Sequence, residues 1–133
     1  MPAILTVDDS RAVRNLIGKQ VRELGFDVLE AEDGVQGLEA LARTQVNLVL
    51  LDVTMPNMDG PSMLRKMREN GDQTPVIMLT SESSRDTVAG SILLGISDYI
   101  LKPFKPEELR QKMLTVLRAE PGAGESGPPG FGF

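Results

Sequence analysis

The sequence predicts an α/β fold: a three-layer, doubly wound (βα)5 sandwich built on a parallel sheet of strand order 2-1-3-4-5. Two observations carry that prediction. Short apolar runs alternate five times with stretches whose apolar residues recur at helical spacing, and such alternation requires parallel strands joined by right-handed crossovers. One of those runs, Leu48-Val49-Leu50-Leu51, is unbroken, as expected of a central strand covered by helices on both faces. A chain of 133 residues suits one such domain, and for five units the order 2-1-3-4-5 is the natural doubly wound arrangement.

The elements follow in order. Ala3–Val7 reads as the first strand. Arg11–Leu24 reads as the first helix, with Ser10 as its N-cap, an inward stripe of Val13, Leu16, Ile17, Val21 and Leu24, and Gly25 as its stop. Phe26–Ala31 is the second strand. The second helix, Val35–Thr44, begins after Asp33-Gly34 and buries Leu38, Leu41 and Ala42. Asn47–Leu51 forms the third strand, and a loop from Val53 to Gly60 leads to a helix opened by Pro61 and closed by Gly71, with Met63, Leu64 and Met67 inward.

Pro75–Thr80 reads as the fourth strand and Arg85–Leu94 as the fourth helix, with Val88, Ala89, Ile92 and Leu93 inward and Leu94 as an exposed apolar contact. Asp98–Leu101 is the fifth strand. Pro106-Glu107-Glu108 then opens the last helix with acids at its positive end, and Leu109, Met113, Val116 and Leu117 face in. Residues 119–133 hold five of the thirteen Gly and three of the nine Pro. They are expected to be a flexible tail on a domain of residues 1–118.

Composition narrows the chemistry. The chain has no Cys and no His, which removes disulfides, thiol redox chemistry, histidine-based triads and the usual zinc sites. Nineteen acidic against fourteen basic side chains give a net charge of −5, which argues against a nucleic-acid or anionic-membrane partner. No apolar run approaches the length of a bilayer crossing, and Asp8-Asp9 comes too early for a signal peptide. A cytoplasmic location is therefore expected. What remains is chemistry run by carboxylates, Lys, Arg and hydroxyls around a hard, oxygen-preferring cation.

Ligands of a doubly wound sheet bind outside the carboxyl ends of the strands. Asp8 and Asp9 follow the first strand, Asp52 the third, Thr80 the fourth and Lys102 the fifth, whereas Glu32-Asp33 ends the outer second strand, away from this mouth. An Asp-Asp pair before a helix is commonly a capping cluster. Asp52 is harder to dismiss, because a carboxylate closing a run of apolar residues needs a partner. Three converging carboxylates repel unless a cation neutralises them. Mg²⁺ suits such oxygens, and the Lys and Thr beside it suit a phosphoryl group, with a carboxylate as the nucleophile.

Four segments are recognisable together: Val7-Asp8-Asp9-Ser10, Leu51-Asp52-Val53-Thr54-Met55-Pro56-Asn57-Met58-Asp59-Gly60, Met78-Leu79-Thr80-Ser81, and Asp98-Tyr99-Ile100-Leu101-Lys102-Pro103-Phe104. In order and spacing they closely resemble the receiver domain of two-component response regulators, over residues 3 to 118. The Asp-Asp-Ser start and the lack of an output domain resemble the single-domain, CheY-like members. The resemblance implies Asp52 as phosphoacceptor and a sensor histidine kinase or phosphotransfer protein as donor. It implies Mg²⁺ held by Asp9, Asp52 and the backbone carbonyl of Thr54, with Asp8 acting through metal-bound water. Lys102 would pair with phosphoryl oxygens, Thr80 and Tyr99 would be the switch, and Thr54 and Glu82 would tune hydrolysis. The Lys102–Pro103 peptide is commonly cis in the family.

The output implied is a changed face formed by the fourth helix, fifth strand and fifth helix, read by a downstream protein in chemotaxis-like or phosphorelay signalling. The protein would be a monomer, with a phosphorylation-dependent dimer as an option, and no enzyme beyond its own phosphorylation and dephosphorylation. Ile96 departs from the family's smaller residue at its position, and Met55 and Met58 flank the site. Other readings are an isolated receiver module of a larger regulator or a phosphatase of the haloacid dehalogenase type. The phosphatase wants a second Asp where Thr54 stands. A flavodoxin-like cofactor binder is disfavoured because Asp8-Asp9 would repel a phosphate.

Overall fold

The structure, a computed structural model, describes residues 2–81 and 85–119. The Glu82 position and the tail beyond Ala119 lie outside the described residues. The elements alternate as β1 (Ala3–Val7), α1 (Arg11–Glu23), β2 (Asp27–Ala31), α2 (Gly34–Arg43), β3 (Leu48–Asp52), α3 (Gly60–Glu69), β4 (Val76–Thr80), α4 (Arg85–Ile92), β5 (Asp98–Leu101) and α5 (Pro106–Ala119). All neighbouring strands pair in parallel, in the order β2-β1-β3-β4-β5. The predicted fold class and strand order are both observed.

Strand periodicity splits the core in two. Leu48 and Leu50 of β3, with Ile77 and Leu79 of β4, pack against Ile17 and Val21 of α1 and Leu109 and Met113 of α5. Val49 and Leu51, with Val76 and Met78, point to the other face and meet Met63, Leu64 and Met67 of α3. Successive side chains of a strand alternate faces, so an unbroken apolar run is what burial on both sides demands. Met55 belongs to this second core and is buried. Ile96 also packs against it, partly buried, which is how the bulkier residue is accommodated.

Three helix stripes differ from expectation. In α1 the buried side chains are Arg14, Ile17, Gln20 and Val21, while Leu16 is exposed; it lies about 100° round the helix from Ile17. In α2, Ala42 is exposed and Ala40 packs inward in its place. In α4 the inward assignment of Ala89, Ile92 and Leu93 is wrong: Ala89 is exposed, and Ile92 and Leu93 are 56% and 90% exposed. Leu94 instead turns in against the core. The helix ends at Ile92 and turns at Gly95, whose φ of 89° favours glycine. The Arg68 guanidinium donates to the carbonyls of Leu94 (3.1 Å) and Gly95 (2.7 Å). That clamp holds the turn on which Leu94 packs against the core. The side chain of Val88 lies outside what is described.

Gly60 begins α3 directly beneath the end of β3. Its N–H donates to the Val53 carbonyl at 2.9 Å, and a Cβ there would overlap the Asp52 carbonyl and press on Met78 Cε at 3.1 Å. Glycine lets the helix tuck under the strand end that carries Asp52. Gly60→Ala is expected to destabilise the domain by about 1–3 kcal/mol, the usual cost of overpacking. The midpoint of urea unfolding checks this.

Candidate functional site

The register that aligns the strands also aligns their ends. Asp8 follows β1 and is fully buried; Asp52 ends β3 and is buried as well. Asp9, beside them, is exposed. Oxygens of Asp8, Asp9 and Asp52 all lie within 4.8 Å of one another. From β5, the Lys102 Nζ donates to Asp8 Oδ2 at 3.0 Å and to Asp52 Oδ1 at 3.1 Å. Lys102 is itself tied to the next strand, its N–H donating to the Thr80 carbonyl at 2.7 Å, and the Lys102–Pro103 peptide is cis. The other oxygen of Asp8 accepts from the Ser10 N–H at 2.9 Å.

The charges in this cluster do not balance. Burial pushes the Asp52 carboxyl above its ordinary value, and the facing Asp8 charge pushes the same way; Lys102 opposes both without prevailing. Burial also works to lower Lys102, but its contacts with Asp8 and Asp52 more than offset this and hold it above its ordinary value. Lys102 thus pairs with two of the three carboxylates, Asp8 and Asp52. The donor set is all oxygen, two of its three members are buried, and it carries excess negative charge. Those properties fit a hard divalent cation such as Mg²⁺.

Other predicted residues stand nearby in different ways. Thr80 is buried, and its hydroxyl donates to the Ser81 carbonyl at 3.0 Å rather than to the carboxylates. Tyr99 lies on β5 with its side chain partly out of the fold. Thr54 is exposed in the loop after β3.

Sequence reasoning missed two features. Asp33 is absent from the carboxylate cluster but not remote from the site. One of its oxygens caps α2 by accepting from the Gln36 N–H at 2.9 Å, and the other accepts from Asn57 Nδ2 at 2.7 Å. Asn57 sits in the loop that carries Thr54, with a left-handed φ of 65°. The Gly34 N–H donates to the Met58 carbonyl at 3.0 Å, closing the clamp between α2 and that loop. The Gln36 N–H and then the Asn57 amide hold the Asp33 carboxyl below its ordinary value. The other omission is Arg14, whose Nη1 donates to the Asp8 carbonyl at 2.6 Å. Its spacing of three from Ile17 and seven from Val21 was the available signal, since it puts Arg14 on the buried stripe.

A family model described as "Response regulator receiver domain" matches residues 4–114. The chain belongs to the response regulator receiver family. Among curated proteins it is similar to the response regulator MprA of Mycobacterium sp. (strain KMS), with 38% identity over 94% of this chain and 55% of the relative. It is likewise 38% identical to a probable transcriptional regulator, ycf27, of Porphyridium aerugineum, over 86% of this chain and 48% of that one. The chain thus spans about half the length of the curated relatives it matches.

Among solved structures, the chemotaxis response regulator CheY4 of Vibrio cholerae superposes with a TM-score of 0.81 and 30% identity, over 87% of this chain and 98% of that one. A Francisella response regulator receiver domain gives 0.80 and 29%, over 90% and 100%. The chain is a receiver domain with an acidic pocket of Asp8, Asp9 and Asp52, a phosphoacceptor type of signalling module rather than a conventional enzyme. Among the described residues, no helix is long and apolar enough to cross a membrane.

Two stability predictions follow from the charges. The Asp52 pKa is raised on folding, so its ionisation costs stability as pH rises from the unfolded value of 3.8 through the folded one. Asp52→Asn should therefore raise the melting temperature by a few degrees at pH 7 without divalent cations, and the gain should vanish below the unfolded pKa. Asp33 has the opposite sign. Its contribution is present above 3.8 and is lost as pH falls through its lowered folded pKa. Asp33→Ala should cost about 1 kcal/mol at neutral pH, as loss of a helix cap does, and less in acid. Thermal melts across pH check both.

Proposed function

We propose that this domain, residues 1–118, is a phosphorylation-switched receiver that takes a phosphoryl group onto Asp52 from the phosphohistidine of a sensor kinase or phosphotransfer protein. The observation that carries the reading is the Asp52 carboxylate at the end of the central strand, 3.1 Å from the Lys102 ammonium and beside Asp8 and Asp9. One Asp52 oxygen attacks phosphorus, the P–N bond to the donor imidazole breaks, and an acyl phosphate remains. Water later cleaves it and regenerates the carboxylate.

Asp9, Asp52 and the Thr54 carbonyl are the groups that would hold Mg²⁺, with Asp8 acting through a bound water; when bound, the ion supplies charge neutralisation for the phosphoryl oxygens. Lys102 would leave its carboxylate partners for the phosphoryl oxygens. Thr54 and Glu82 would tune hydrolysis, as the family resemblance implies.

The phosphate adds about −1.5 to −2 of charge. Thr80 would exchange its bond to Ser81 for one to the phosphate, and Tyr99 would change rotamer with it. The exposed Ile92, Leu93 and Tyr99 make the α4-β5-α5 face suited to a downstream protein, coupled to the site by ~1–3 kcal/mol. In the curated relatives named above, the matched region is about half of the protein, so contact with an attached domain is the second reading of the output. The pathway, chemotaxis-like or another phosphorelay, follows from that partner. The working state is a cytoplasmic monomer, with a phosphorylation-dependent dimer as its alternative.

Incubation with Mg²⁺ and a small phosphodonor should add one phosphoryl group by intact mass to the wild type and none to Asp52→Asn; no gain in the former, or equal gain in both, would sink the proposal. Beryllium fluoride with Mg²⁺ should change Tyr99 fluorescence, and silence would count against the rotamer switch alone.

A further inference from the structure

A buried charge in the first turn of α1 is the feature the proposed chemistry leaves unused. Arg14 is 8% exposed although it lies on a surface helix. Its Nη1 donates to the Asp8 carbonyl at 2.6 Å, and its Nε donates to Glu30 Oε1 on β2 at 3.0 Å. The Asp8 N–H donates to the Ala31 carbonyl at 3.0 Å. Both peptide groups of Asp8 are thereby fixed against β2, one directly and one through the guanidinium.

The Asp8 carbonyl and the Asp9 N–H belong to one planar peptide unit. Holding that carbonyl sets the plane from which the exposed Asp9 side chain leaves the chain. We propose that Arg14 is a positioning residue, which through the Asp8–Asp9 peptide aims the Asp9 carboxylate at the cation site. The proposal rests on the metal-binding reading of Asp8, Asp9 and Asp52. Arg14 does not serve as a charge donor to the pocket, because Glu30 already neutralises it at 3.0 Å. Its use is the planar fork, which joins two acceptors at fixed angles; a lysine carries the charge without that geometry.

The two roles predict opposite signs. Removing a positive charge near a cation site tightens binding, whereas releasing the peptide plane loosens it. The test is Mn²⁺ binding to the full chain, followed through the electron paramagnetic resonance of the free ion, for wild type, Arg14→Met and Arg14→Lys. Both variants should bind about 10-fold more weakly, the scale of losing a partner that orients a ligand. Arg14→Lys keeps the charge and most of the packing, so it answers the question even where Arg14→Met fails to fold. Unchanged affinity in Arg14→Lys, or tighter binding in Arg14→Met, overturns the role of Arg14. A wild type that binds no Mn²⁺ overturns the metal reading itself, a separate result visible before any variant is made.

Discussion

Parallel strands end on the same side of their sheet, and here the ends of β1 and β3 bring three carboxylates within 4.8 Å of one another. Repulsion among them is the constraint around which the rest of the molecule is arranged. Two of the three are buried, where the dielectric screens little and a like charge is felt strongly. Lys102 offsets part of it by bridging Asp8 and Asp52. The remainder is the imbalance that makes the pocket receptive to a cation and then to a phosphoryl group.

A strained electrostatic arrangement persists only where packing over-determines it. The two-sided core fixes β3 from both faces, and Gly60 lets α3 close against the strand end from below. Asp33 and Asn57 tie the loop after Asp52 to the start of α2. Arg14 ties the Asp8 carbonyl to β2. Each of these contacts is made by a polar residue or a glycine.

The sheet was readable because period-two burial on both faces leaves an unmistakable apolar run, as in Leu48 to Leu51. The converging Asp8, Asp9, Asp52 and Lys102 followed from topology, since a doubly wound sheet dictates which loops meet. The phase of α4 was not readable. Ile92, Leu93 and Leu94 are adjacent and equally apolar, and the turn on which Leu94 faces in is held in part by the Arg68 clamp. That clamp is a contact between residues 26 apart, which no local pattern encodes. Asp33 and Arg14 were hidden for a related reason: charged residues read as solvated until the backbone carbonyl or amide that satisfies each one is in place.

The central claim is that folding stores like-charge repulsion in this pocket and that a hard divalent cation relieves it. Its most direct measure is the melting temperature of the wild-type domain at neutral pH as Mg²⁺ is added at constant ionic strength. A ligand that binds only the folded state stabilises it in proportion to the logarithm of its excess over Kd. The account predicts a rise that begins as Mg²⁺ approaches its Kd and continues logarithmically above it, absent in Asp9→Ala and absent when K⁺ replaces Mg²⁺. A melting temperature indifferent to Mg²⁺, or one that rises equally in Asp9→Ala, would contradict it.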